Sequence, residues 1–566
     1  GEGADPPYCD DKADPVNLFT GNFKYTMQDL FIPARGLPIV FKRYYNSMDI
    51  YDGPFGRGWS HSYNIRLYEV QDGAGEFVTL KNYDGTTLSF KHLTGVDYQT
   101  LSEHSFDELK KYATFPSDIL AVTQTGFDGG FCLRKKHGRE YLFSFSGQLR
   151  MIVDRNRNKL TLGHDASDRL SSVTDTTGRA ISFVYNSNNK LSRITDFTGR
   201  EFAYSYDNTG NLMSAQMPES ANCPDGAKTE YAYSSSSLLT AITDPNANTY
   251  LSNSYDEASR VIEQNYGNGT FKFAYEFLKT VFTDCNGNVT EYYFNSDGTT
   301  YQKIHTGNFT GYLPTSSKKT TRYEYNAKKQ VTRTIQPRGN VIDKEYDDKG
   351  NVLRIIRRPN QYSDDTYSII TVITYEPDYN MLKTFTDPMG SLTSFNYDGQ
   401  GNLIQVVYPV FDSIQPVIDI TYNQYGQIET VTDPNSIITR YEYFQQTGYL
   451  EKVINNYGAS VDVAETNFSY DALGNVTSLT DARGNTTAFE YDEINNITRA
   501  VFSAPFNFET LFEYDNNSNI IYLKRQASND GTQWQIVEYE YNAKDMVTSV
   551  KQYSDVTDYL QTTYVY

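Results

Sequence analysis

The chain has 566 residues, and its 70 Asp and Glu outnumber its 50 Lys and Arg for a net charge of −20. That excess repels a polyanion such as DNA, RNA or heparin on average, and otherwise serves solubility. Charged residues at 21% and hydrophobic ones at 38% exclude a disordered chain, and 49 Tyr and 32 Phe against 2 Trp favour sheet over helix. No apolar run of about 18 residues is present, which excludes a helical membrane span.

The chain opens on Gly1 rather than Met, as a processed secreted protein or a trimmed chain does. Cys9, Cys132, Cys223 and Cys285 have no C-x-x-C spacing, which argues against zinc. In an oxidising compartment they allow one or two disulfides, and spacing leaves all three ways of pairing the four open.

Residues 1–75 read as an N-terminal module. Ile39 to Tyr45 is a strand after a Pro/Gly turn, Gly53 to Gly58 a tight loop, and Trp59 to Leu67 another strand. The loop lacks G-x-G-x-x-G order and no helix signal follows it, so it is not a phosphate cradle. Residues 76–138 form a β-rich connection, with strands over Glu76–Tyr83, Thr86–His92 and Phe131–Lys136, and Glu140–Phe145 continues them. Between about 96 and 128 the alternation is lost, and a loop or a short helix around Ser105 to Tyr112 is expected.

Residues 139–566 repeat one unit of turn, strand, turn, strand. Its clearest form runs from Tyr470 to Asp492 and contains Asp-x-x-Gly-Asn twice: Asp471, Gly474 and Asn475, then Asp481, Gly484 and Asn485. The Asp side chain accepts backbone N–H groups downstream, and Gly or Asn tolerates the left-handed backbone that closes the turn. The same punctuation stands at Asp207, Gly210 and Asn211, at Asp284 to Asn288, at Asp347, Gly350 and Asn351, and at Asp398, Gly401 and Asn402. A tyrosine precedes most copies, among them Tyr185, Tyr206, Tyr325, Tyr346, Tyr397, Tyr470, Tyr491 and Tyr514, often 21 residues apart, as from 185 to 206 and from 470 to 491. Such a period marks a repeat architecture. Thr487, Phe489 and Tyr491 share one face of their strand, but Val476 and Leu479 have opposite parity, so the pattern leaves open which side is buried. Polar insertions at Pro218–Lys228, Gly307–Lys319, Arg358–Tyr367 and Asn455–Glu465 read as longer loops.

The Tyr-Asp steps, with Thr-Asp at Thr195-Asp196, Thr243-Asp244, Thr432-Asp433 and Thr480-Asp481, resemble the YD repeats of RHS proteins. The run from Asp14-Pro-Val-Asn to Gly53-Pro-Phe-Gly-Arg-Gly-Trp-Ser-His-Ser-Tyr63 is similar to the module that opens many of them. The resemblance implies an all-β array of hairpins in one spiralling sheet, which in the toxin and teneurin branches wraps into a hollow shell. RHS toxins also carry a C-terminal core with a D-P-x-G motif that releases a toxin into the shell. Asp387-Pro-Met-Gly390 is similar locally, but the surrounding core is missing, so no protease role is carried onto it. The last residues, Thr563-Tyr-Val-Tyr566, stop within a repeat, which implies a longer natural chain.

Chemistry is sparse. The six histidines make no metal spacing, and neither a G-x-S-x-G elbow nor a Walker sequence is present. Most turns offer one carboxylate, which turn chemistry explains without calcium. The periodic tyrosines invite a sugar-stacking reading, but a cross-strand ladder accounts for them first. The expectation is a secreted or cell-surface protein without cofactor or catalytic site, a shell around a C-terminal effector. The competing expectation is a structural or adhesive protein that assembles with copies of itself through open strand edges. A polar-lined, wide interior favours the first, and strand ends filled by a neighbour favour the second.

Overall fold

A computed structural model of the chain describes residues 11–12, 15–72, 75–101, 106–123, 126–221, 223–267, 269–306, 318–363, 365–503, 507–528, 531–553 and 559–564. Its hairpins follow from the turn residues. The Asp471 carboxylate accepts the Asn475 backbone N–H at 2.9 Å and the Asn475 Nδ2 at 2.8 Å. The Gly474 N–H donates to Asp471 O, and the Asp471 N–H to Asn475 O. Gly474 has a φ of 92°, and the same fourth position is left-handed where glycine is absent, at Asn495 (73°), Ser518 (67°) and Lys329 (56°). A tight turn ending in a left-handed residue closes a hairpin and builds in a bulge.

From Arg66–Asp72 to Tyr559–Thr563, 43 strands form one antiparallel sheet. Near its start the sheet closes on itself, where the Leu67 N–H donates to Gly147 O at 2.9 Å and Arg66 bridges Gln148. The bulge settles the face that parity left open. Tyr470 pairs with Val476 and Ser469 with Ser478, which leaves Thr477 out of register. Phe468 pairs with Leu479. Val476 and Leu479 therefore share the face of Tyr470 and Phe468.

The repeat tyrosines are stitches. Residues 170–174 and 180–185 pair only from Ser172 to Thr174, so Leu170 lies beyond the ladder. The Tyr185 hydroxyl donates to Leu170 O at 2.9 Å. The acceptor is the first residue of the preceding strand, just after the last turn on the same edge, and the rule holds at Tyr206 to Leu191 (2.6 Å), Tyr346 to Val331 (2.7 Å), Tyr397 to Leu382 (2.6 Å), Tyr491 to Val476 (2.9 Å) and Tyr514 to Ile497 (2.7 Å). Each hydroxyl supplies a carbonyl that the short ladder does not reach.

The N-terminal module sits inside the first pass of this sheet. Its strands Lys24–Ile32, Ile39–Asn46 and Trp59–His61 form a separate three-stranded sheet. Phe41, Phe55 and Trp59 are buried against Phe183, Tyr204 and Tyr231 of the repeats. Arg43, 1% exposed, donates to both oxygens of Asp29 (2.7 and 2.9 Å) and to the Tyr231 hydroxyl (2.8 Å). Tyr204 also donates to Asp29 (2.7 Å). A buried pair with its remaining donors and acceptors bonded fixes how the module docks.

Two details differ from the sequence reading. The stretch expected as a loop or helix around 105–112 holds a strand, Glu108–Tyr112, paired with Gly130–Arg134, and the helix lies later, at Ser117–Leu120. The cross-strand partner supplies the hydrogen bonds that a local helix would otherwise make. Cys132, Cys223 and Cys285 are free thiols, and Cys9 lies outside the described residues.

Tyr470, unlike its neighbours, makes no such stitch among the described hydrogen bonds and instead packs its ring on Tyr449, 5.0 Å away. Replacing Tyr397 by Phe is expected to cost about 1 kcal/mol, the usual net worth of one hydrogen bond. Tyr470→Phe is expected to be nearly neutral, and thermal midpoints of the two variants compare them. Burial raises Tyr206 and Tyr233 well above the ordinary value of 10.0. The unfolded chain loses those protons near pH 10 and the folded one holds them, so stability falls as pH rises through 10. Absorbance at about 295 nm is expected to show these rings ionising together with unfolding.

Candidate functional site

Three surfaces are built by the repeat: a seam, an inner face and an open edge. The seam forms because the sheet winds back on itself. Turns on one edge of the first pass meet turns on the opposite edge of the second. Asn156 and Asn402 exchange amide hydrogen bonds in both directions, at 3.0 and 2.9 Å. Arg155 donates to Gly401 O at 2.8 Å, and Asn158 to Tyr425 O at 2.9 Å. Further along, Arg200 donates to Glu493 O (2.8 Å), Asn246 to the Asp515 carboxylate (3.0 Å) and Asn517 to that of Asp244 (2.8 Å). At the centre, Arg179 and Tyr449 meet over Pro33 O, to which the tyrosine hydroxyl donates at 3.1 Å. The N-terminal module thus touches both passes.

The inner face carries a side chain two residues before each tyrosine, apolar at most copies and polar at Asn253 and Lys344. In the first pass the apolar ones include Phe183, Tyr204, Tyr231 and Phe273, all buried under the N-terminal module. In the second pass the same positions hold Phe395, Tyr441, Phe468, Phe489 and Phe512, and all are half-exposed. Thr393, Thr439, Thr466, Thr487 and Thr510 lie beside them on that face. The interior wall is therefore aromatic, aliphatic and threonine-lined, where a shell was expected to show a polar one.

The open edge is the far edge of the second pass. Turns 387–390, 433–437 and 481–485 project there, largely exposed. Of the four insertions seen in the sequence, those at 358–367 and 455–465 leave the sheet at this edge, the one at 218–228 leaves the first-pass edge that forms the seam, and residues 307–317 lie outside the described residues. Met389 is 89% exposed, with Phe411, Ile414 and Val461 also out in solvent.

The turn residues singled out in the sequence are distributed over these surfaces. Asp398, Gly401 and Asn402 lie on the seam, with Asn402 buried. Asp471, Gly474 and Asn475 lie under Pro33 and beside Asn495. Asp207, Gly210 and Asn211 face the module's Gly56, and Asp347, Gly350 and Asn351 meet Gln330 and Asn380 of adjoining turns. Asp481, Gly484 and Asn485 stand at the open edge. Burial opposes the charge on Asp207, but hydrogen bonds from Thr209 and Asn211 outweigh it and hold the carboxyl below its ordinary value. Bonds from Asn485 and Arg483 do the same for Asp481. Asp387 accepts the Ser391 N–H at 2.8 Å and closes an ordinary turn. No group of three metal-ligating side chains occurs among the described residues, and no helix there is long and apolar enough to cross a membrane. Sequence reasoning passed over Asp154 to Asn158, the seam's first turn, whose signal was an Asp and an Asn four apart without the glycine.

Known proteins share this organisation. Residues 13–90 match a domain of unknown function, DUF6531. Residues 123–222 and 163–316 match the Teneurin YD-shell model, and 378–410 and 470–502 match the RHS Repeat. These matches support the resemblance to the RHS/YD-repeat family. It is 23% identical over 506 residues to a probable deoxyribonuclease, RhsB, of Dickeya dadantii (strain 3937), an alignment covering 86% of this chain and 30% of that protein. Its fold resembles the TcdB2-TccC3 crystal structure (TM-score 0.54, 13% identity, 99% of this chain and 32% of that one). It also resembles the Photorhabdus luminescens Tc holotoxin pore (TM-score 0.53, 12% identity, 93% and 30%). The chain thus spans about a third of these relatives or less.

Within this array, glycines at one turn position face different surroundings. A Cβ on Gly401 would lie 2.7 Å from the Tyr379 ring, whereas one on Gly484 would meet nothing within 4 Å. Asn already occupies the left-handed position at Asn495. Gly484→Asn is therefore expected to leave the melting temperature almost unchanged. Gly401→Asn is expected to cost about 1–3 kcal/mol by overpacking and to lower the melting temperature measurably.

Proposed function

We propose that this chain is the shell-forming part of a secreted or cell-surface RHS protein, divided into an opening module (1–75), a connection (76–138) and the YD array (139–566), and that it is not itself an enzyme. In this reading the N-terminal module plugs the first pass, and the second pass receives a C-terminal effector that lies outside this sequence. One observation carries the reading. The same sheet face is buried by a plug in the first pass and half-open, with Phe395, Phe468, Phe489 and Phe512 accessible, in the second. Apolar surface left uncovered in a folded wall is surface for a partner. The aromatic and threonine lining suits an extended polypeptide that has not buried its own apolar side chains. The relation to toxin complexes in the TcdB2-TccC3 structures supports the same assignment at the level of fold.

A second reading, assembly with further copies, rests on the open edge, where Met389, Phe411 and Ile414 are exposed, and on Tyr559–Thr563, a strand exposed along its whole length. A passenger peptide fused behind Tyr566 separates the two. A shell is expected to protect it from trypsin at concentrations that digest the same peptide on a free linker. Digestion at the free-linker rate, with micrographs showing fibres that persist on dilution, overturns the shell and supports assembly.

A further inference from the structure

At one repeat position a histidine stands in the tyrosine column, which Phe294 also leaves without a hydroxyl. The turn Asp165–Arg169 has the usual form, with the Asp165 carboxylate accepting the Ser167 and Arg169 N–H groups, but His164 precedes it. By the stitching rule, a tyrosine there would donate to the carbonyl of Leu149, the first residue of the preceding strand. The shorter imidazole does not span that distance and lies 3.3 Å from Arg150 through Nδ1. A cleft of about 540 Å³ opens at this gap, between the first repeats and the module loop at 51–54. That volume falls in the usual range for small-ligand sites, about 300–1,000 Å³.

The lining has a definite chemistry. Buried His61, Gln148, Leu149 and Leu170 form the floor, and Ser167, Asn188 and Asn189 the exposed mouth. Three cations, Arg66, Arg169 and Lys190, stand against Asp52 and Asp168 on the lining and Asp165 paired with Arg169, so the cleft is near charge balance on a chain of net charge −20. Arg169 is committed to Asp165, and Lys190 to Asp52 and Gly53 O. Arg66 makes no ion pair among the described residues; its guanidinium lies 5.9 Å from the Tyr68 ring and close enough to Tyr51 and His164 to act on both electrostatically. Its guanidinium is thus available for a carboxylate, for which its planar fork is suited. Asn64 and Gln148 donate to Tyr51, Ser60 and Asp168 O, and Asn189 Oδ1 accepts from Arg169, which leaves Asn64 Oδ1, Gln148 Oε1 and Asn189 Nδ2 on the same walls to meet hydroxyl groups.

We propose that the gap at His164 is a binding site for a small hydroxylated carboxylate of the sugar-acid type, with Arg66 holding the carboxylate and the amides holding the hydroxyls. Burial and the neighbouring Arg150 lower His164 to about 4, so it stays neutral near pH 7 and serves as a hydrogen-bonding wall.

Titration calorimetry with D-glucuronate, and with D-glucose as the uncharged control, tests the site on three forms of the full chain. The wild type is expected to bind glucuronate about tenfold or more tightly than glucose, the increment of one charge-assisted contact. Arg66→Gln is expected to erase that preference. His164→Tyr fills the gap and restores the stitch, so it is expected to abolish binding of both sugars while raising the melting temperature. The proposal is overturned if the wild type binds no glucuronate at millimolar concentration, if glucose binds equally well, or if folded His164→Tyr protein binds as the wild type does.

Discussion

A carbonyl just beyond the end of a short ladder is the weak point of this architecture. Strands of five or six residues, paired over three or four positions, leave backbone groups at every hairpin base without a sheet partner. Water would solvate them at a free edge, but here they lie on the half-buried inner side. The tyrosine hydroxyl solves this locally, fourteen times among the described residues, always by reaching the first residue of the preceding strand. Each bond contributes only about 1 kcal/mol. Their effect is geometric, since they tie neighbouring hairpins at a fixed spacing and so set how the sheet winds.

That dependence explains what the sequence disclosed. The Asp-x-x-Gly-Asn turns and the tyrosines before them are local devices, so their form follows from side-chain chemistry and needs no tertiary information. Residues such as Gly474 and Asn475 were legible for that reason. The inner face was not, because a one-residue bulge beside Tyr470 reverses the parity on which such a reading relies. The strand at Glu108–Tyr112 was missed because its identity comes from pairing with Gly130–Arg134, not from its own alternation.

The seam was illegible for a different reason. Asn156 and Asn402 are 246 positions apart. The turn Asp398–Asn402 has the same Asp-x-x-Gly-Asn chemistry as Asp481–Asn485, which faces solvent. One motif therefore has two outcomes, and only the winding of the sheet decides between them. The cleft at His164 was legible in principle. A histidine in a tyrosine column is visible in the sequence, but its meaning requires knowing what the missing hydroxyl would have reached.

The two passes of the sheet are consequently stabilised in different ways. The first is a conventional core, in which Phe183, Tyr204 and Tyr231 are buried against the N-terminal module and the Asp29–Arg43 pair. At about 25 cal/mol per Å² of apolar area, that burial is the dominant favourable term there. The second pass has the same residues on the same face without a plug, so it depends on stitches, turns and the polar seam to the first pass. Polar contacts of that kind fix geometry more than they add stability. The second pass is thus a wall held in shape from its edges while its apolar face stays accessible. In the proposed shell role, that accessible face is the one a polypeptide meets.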